Sequence, residues 1–126
     1  MQIEKYKLEN AYRAINKVAS TEGLKVSNVK VFTTLLKGLE PLLIPYFDER
    51  RDVTKTFTVV KEGGKPEITD QIALQEAVEE LAKQTVEFSA EKFNVTYGRG
   101  DKWLTVEINK ALTDLYGDLF NLVEVD

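Results

Sequence analysis

Val29-Lys30-Val31-Phe32-Thr33-Thr34-Leu35-Leu36-Lys37-Gly38-Leu39-Glu40-Pro41-Leu42-Leu43-Ile44-Pro45-Tyr46-Phe47-Asp48-Glu49-Arg50-Arg51 is the stretch that decides the fold. Val29, Phe32, Leu36, Leu39, Leu43 and Phe47 follow one another at spacings of three and four, the signature of one face of a helix and the longest such pattern in the chain. Pro41 and Pro45 interrupt it. Each removes a backbone donor and crowds the preceding turn, at a cost of about 3 kcal/mol in a helix interior. A kink near Leu39-Glu40 is therefore expected, and because the periodicity resumes on the same phase, one kinked continuous helix is favoured over two separate ones.

Upstream, Leu8, Ala11, Tyr12, Ile15, Val18 and Ala19 mark a shorter first helix that ends before Gly23, with Ser27 offering its hydroxyl as N-cap to the long helix. Downstream, Thr56-Phe57-Thr58-Val59-Val60 reads as a strand turning through Lys61-Glu62-Gly63-Gly64-Lys65-Pro66 into a return arm, Glu67-Ile68-Thr69. Thr69 or Asp70 can cap a third helix whose inner stripe is Ile72, Leu74, Ala77, Val78, Leu81 and Ala82. The period then changes to two through Val86 and Phe88, again through Phe93, Val95 and Tyr97, and again through Leu104, Val106 and Ile108, with Gly98 to Lys102 as the turn between the last two strands. Asn109 caps a final helix over Ala111, Leu112, Leu115 and Tyr116, ended by Gly117, and the apolar tail from Leu119 to Asp126 should dock on its own sheet or on a neighbour. The expectation is a single α+β domain over residues 1 to 126: three to four helices, one of them long and kinked, packed with a small antiparallel sheet.

Composition narrows the chemistry. The chain has neither cysteine nor histidine, which removes thiolate nucleophiles, zinc sites built on those ligands and the commonest general base. No catalytic, cofactor or metal site is expected, and the chain reads as a non-enzyme. A carboxylate-only site stays formally open. Asp48, Glu49 and Asp52 could hold a hard cation, but Arg50 and Arg51 lie between them and favour ion pairs along a wet face. Arg99-Gly100-Asp101 reads as turn chemistry, Asn94-Val95-Thr96 as a strand, and Gly63-Gly64-Lys65 lacks the rest of a phosphate loop.

Charge is uneven. Residues 1 to 65 hold 12 Lys or Arg against 8 Asp or Glu, and residues 66 to 126 hold 5 against 13. The two halves either fold onto each other or meet head to tail between copies. Lysine and arginine never cluster beyond two adjacent residues, so nucleic acid is a poor partner. No stretch approaches the roughly 18 apolar residues of a membrane span, and no apolar leader opens the chain, so a membrane is not expected as partner.

The seven residues from Pro41 to Phe47 hold five large apolar side chains, more than one helix face can bury. Leu42, Leu43, Ile44, Tyr46 and Phe47 either meet the third helix or the sheet, or contact a protein partner or a second copy. Trp103 and Phe120 join them as candidate interaction residues, though such aromatics more often sit in a core.

Lys7-Leu8-Glu9-Asn10-Ala11-Tyr12-Arg13-Ala14-Ile15-Asn16-Lys17, the long helix with its Leu35-Leu36-Lys37-Gly38-Leu39-Glu40 core and Asp48-Glu49-Arg50 exit, and the run into Thr85-Val86-Glu87-Phe88 together resemble a family of small bacteriophage proteins of unknown function, over roughly the first 90 residues. The two prolines and the longer β-rich C-terminal part depart from that pattern. The resemblance implies a phage origin and a non-enzymatic role in the host cytoplasm or the virion: a structural or assembly component acting by protein contact as an oligomer, or alternatively a small regulator or inhibitor of a host or phage enzyme. It assigns no functional residues.

Overall fold

The computed structural model describes residues 1–60 and 62–125; Lys61 and Asp126, expected in the hairpin turn and the tail, lie outside the described residues. Helix α1 (Lys5–Ala19) buries Leu8, Ala11, Ala14, Ile15 and Val18, the stripe its spacing requires. Gly23, at φ +80°, supplies the left-handed residue that turns the chain toward the next helix.

Helix α2 (Val26–Thr56) runs unbroken for 31 residues with both prolines inside it. Pro41 and Pro45 are exposed and, four apart, share the outer row with Lys37. The carbonyls that lose their donors, those of Lys37 and Pro41, lie on that exposed row. Inside, α2 buries Phe32, Leu39, Leu43 and Tyr46. The stripe steps from Leu43 to Tyr46, so Phe47, expected on it, lies half-buried at its margin.

The helix also starts earlier than Ser27 suggested. Val29 donates to the carbonyl of Lys25 at 3.0 Å, so the ladder begins at Lys25, which caps without a side-chain bond. At its other end lies an antiparallel hairpin, β2 (Thr58–Val60) with β3 (Pro66–Ile68), exposed as expected. Asp70 caps α3 (Gln71–Lys83) by accepting from the Ala73 amide at 3.0 Å. Leu81 is the one fully buried residue of α3, and Ile72, expected inside, is 71% exposed.

Two short strands, β1 (Gln2–Glu4) and β4 (Thr85–Glu87), pair antiparallel with Ile3 opposite Val86. The spacing gave no sign of β1, since three residues are too few for a period. Strand β5 (Phe93–Tyr97) then leads to helix α4 (Val106–Tyr116), not to another strand. The alternation of Leu104, Val106 and Ile108 is equally a helical pair four apart. Ile108 is buried and Val106 stands 86% exposed. Thr105, not Asn109, is the cap: its hydroxyl accepts from the Ile108 amide at 3.3 Å, and Asn109 lies within the first turn. Gly98 to Lys102 consequently joins a strand to a helix, closed by Gly98 donating to the Asp101 carboxylate.

Helix α4 ends at Gly117, where φ is +56°, and a 3₁₀ turn feeds β6 (Phe120–Glu124). Strands β5 and β6 pair in parallel, with Val95 opposite Leu122. Parallel neighbours need a crossover, and α4 supplies it. The apolar tail thus docks on its own chain. The architecture is α+β, with four helices around one core and three two-stranded sheets at its margin, two antiparallel and one parallel.

Candidate interaction surface

The structure does not gather the candidate residues into one patch. Leu43 and Tyr46 are 1% and 2% exposed and belong to the core. Leu42 and Phe47 are half-buried against it, and Ile44, at 57% exposure, alone faces outward. Trp103 is buried edge-on against Phe32, 5.6 Å between ring centroids, with its indole N–H donating to Asp101 at 3.3 Å. Phe120 stacks on Phe93 across the parallel pair at 6.1 Å. The five apolar side chains of Pro41 to Phe47 are therefore shared between core and margin; Leu43, Tyr46 and Trp103 present no surface to a partner.

Charge at this end of α2 is spent internally. Arg50 lies 5.1 Å from the Tyr46 ring centroid and 5.0 Å from that of Phe47, and its two terminal nitrogens donate to the two Glu9 oxygens at 3.0 and 3.1 Å. Arg13 donates to the same carboxylate at 2.9 Å. Burial alone would raise the Glu9 pKa, but the hydrogen bonds and charges of Arg50 and Arg13 outweigh it and hold the group below the ordinary carboxylate range. Glu9 in turn raises the Arg50 pKa. Lys5 joins the same seam through Glu49 at 3.4 Å and Gln84 at 3.0 Å. Asp48 pairs with Arg51 at 2.8 Å as its spacing suggests, whereas Glu49 pairs with Lys5 and not with Arg50 or Arg51. Among the described residues no group of three or more Asp or Glu side chains converges as metal ligands.

A concave feature lies elsewhere, where the N-terminal half of α2 faces the segment entering β5. Val31 and Leu35 form one wall and Phe88, Ala90 and Phe93 the other, around a groove of about 720 Å³. Gly38 closes its α2 side, and a Cβ added there would meet nothing within 4 Å. Lys30 and Lys92 stand at the rim with Glu91. Neither lysine enters an ion pair among the described residues.

Where the start of α2 meets β5 lies Asn28, a polar side chain 1% exposed. Its amide nitrogen donates to the Thr96 carbonyl at 2.6 Å and its oxygen accepts from the Thr96 amide at 3.0 Å. The Asn28 side chain thus stands where the peptide group of a neighbouring strand would stand, on the edge of β5 opposite β6. Tyr97 accepts from Val125 on the β6 side, so backbone groups alternate along β5, and Asn94 points its N–H and C=O to the same side as Thr96. There no group among the described residues meets them. Beside an apolar groove, β5 offers a short open edge.

No protein-family model, curated protein or solved structure matches the chain. The resemblance to small bacteriophage proteins therefore rests on the residues quoted for it. Among the described residues no helix is long and apolar enough to cross a membrane.

The sequence reading missed the groove because its walls come from segments far apart in the chain.

Proposed function

We propose that this chain is a non-enzymatic domain that acts through protein–protein contact, with the groove between α2 and β5 as its contact surface. The observation that carries this reading is the unpaired edge at Asn94 beside the apolar walls of Val31, Leu35 and Phe93. An extended chain satisfies backbone groups and fills apolar hollows together, the mode of recognition by strand addition. The groove holds Glu91 as its single carboxylate, so no pair of acids meets there for general acid–base work.

Taken with the resemblance to small phage proteins, the contact belongs to a virion structural or assembly component. Mass spectrometry of purified particles and of assembly intermediates from infected cells tests this. The expected result is the chain at stoichiometric levels in one or the other. Absence from both overturns the assembly role.

A further inference from the structure

Three features of the groove between α2 and β5 constrain what can fill it. Its walls are apolar, Val31 and Leu35 on one side and Phe88, Ala90 and Phe93 on the other. Beside them the Asn94 N–H and C=O face away from β6 and meet no group among the described residues. At the rim stand Lys30 and Lys92, both exposed and neither in an ion pair among the described residues, against the single carboxylate of Glu91. Arg50 and Arg51, toward the far end of α2, are by contrast each paired with a carboxylate.

Strand addition at Asn94 is limited on one side. Asn28 already bonds the Thr96 N–H and C=O, so an added segment pairs with Asn94 and must end or turn away before Thr96. Lys30 lies two residues along α2 from Asn28, and helical side chains lean toward the helix N-terminus, so Lys30 leans toward that closed end. Lys92 lies two residues from Asn94 in the other direction, just before β5 begins.

We propose that the groove selects an acidic partner: an extended segment of another protein with apolar side chains at alternate positions and a carboxylate on either side of them. This rests on the protein-contact reading above and names the chemistry of the partner. A residue placed opposite Asn94 shares its face, so its two neighbours turn their side chains to the face of Phe93 and Val95, toward the apolar walls. The next residue toward the start of β5 comes beside Lys92. At the other end the segment turns away at Asn28 and passes Lys30. The order acid, apolar, any, apolar, acid therefore meets backbone, walls and rim together, in either chain direction, while a basic segment meets like charge at both ends.

Selection from a displayed library of random peptides on the immobilised whole chain tests the proposal, with Asn94→Pro and Gly38→Gln as counter-targets. Neither change alters the charge of the rim. Asn94→Pro removes an N–H that points away from β6, and a Cβ at Gly38 meets nothing within 4 Å, so both variants should stay folded, which circular dichroism verifies. Peptides held by the wild type and lost on both variants should carry acids flanking an alternating apolar pair. For one such peptide, fluorescence anisotropy should show Lys30→Gln and Lys92→Gln each weakening binding by about 1.5- to 5-fold. Replacing the peptide's acids with glutamine should cause the same loss on the wild type and no further loss on the double lysine variant.

Selected peptides that carry lysine or arginine as often as acids, or an acidic peptide bound equally by the wild type and the double lysine variant, overturn the acidic partner and leave the groove as a contact surface. A library that yields no peptide able to tell the wild type from Asn94→Pro and Gly38→Gln overturns strand addition at this groove as well.

Discussion

Replacing Asn28 with alanine is the sharpest test of how β5 is held. The side chain is 1% exposed and makes two hydrogen bonds to the Thr96 backbone, at 2.6 and 3.0 Å, and accepts a third from the Thr96 hydroxyl at 3.2 Å. Alanine leaves the Thr96 N–H and C=O without partners. A buried polar group that loses its partner costs about 1 to 3 kcal/mol, and since Thr96 is half-buried beside an open groove the lower part of that range applies to each. The two together give a loss of about 2 to 3 kcal/mol. Urea unfolding followed by circular dichroism measures it, with an unchanged slope showing that the folded state stays compact. Asn28→Asp sharpens the result. At neutral pH the carboxylate still accepts from the amide but sets a charge against the Thr96 carbonyl. Protonation restores a donor, so this variant should recover stability relative to wild type as the pH falls. A loss below about 0.5 kcal/mol for Asn28→Ala, within the range of ordinary surface changes, would refute the reasoning.

Pro41→Ala should stabilise the protein by about 1 to 2 kcal/mol: the exposed site regains a helical donor worth about 3 kcal/mol in propensity, offset by about 1 kcal/mol of added unfolded-state freedom. A raised melting midpoint checks this. Glu9→Gln should destabilise by about 1.5 to 3 kcal/mol at neutral pH through the loss of charged hydrogen bonds to Arg50 and Arg13. Because the Glu9 pKa is lowered in the fold, its contribution is fully present above the unfolded-state pKa and disappears as the pH falls through the folded one; the gap between variant and wild type should close in acid, and a gap independent of pH would contradict the pairing. Tyr116 is 3% exposed and burial raises its phenol pKa. Its stabilising effect holds below the unfolded-state value and is lost as the pH rises past it, so ultraviolet titration should find Tyr116 among those of the five tyrosines that ionise only as the protein unfolds in alkali.

The helices were legible wherever one apolar stripe ran at three- and four-residue spacing with a clear end. The stripe of α1, the Asp70 cap of α3 and the Gly117 stop of α4 all follow from side-chain identity within one turn. The start of α4 was not, because Leu104 and Ile108 suit a strand two by two and a helix four apart. The Thr105 hydroxyl, a local hydrogen bond with no periodicity, decides between them. Parallel pairing of β5 with β6 depended on that decision, since a helix between them makes a crossover and a strand would have made a meander. At the surface, Pro41 to Phe47 overstated exposure. Counting apolar residues does not say which way they turn, and the step from Leu43 to Tyr46 carries both inward while Ile44 faces out.

Sheet edges are ordinarily shielded by charge, proline, a bulge or a covering side chain, since a bare edge recruits other strands. Here the shielding is partial in a specific way. Asn28 covers β5 at Thr96 and leaves Asn94, two residues away on the same edge, uncovered. Pro66 and Glu67 guard the β3 edge of the hairpin, while β2 presents Val59 and Val60. Helix α2 carries one bare edge near each end, and its continuity through Pro41 and Pro45 holds them at a fixed separation.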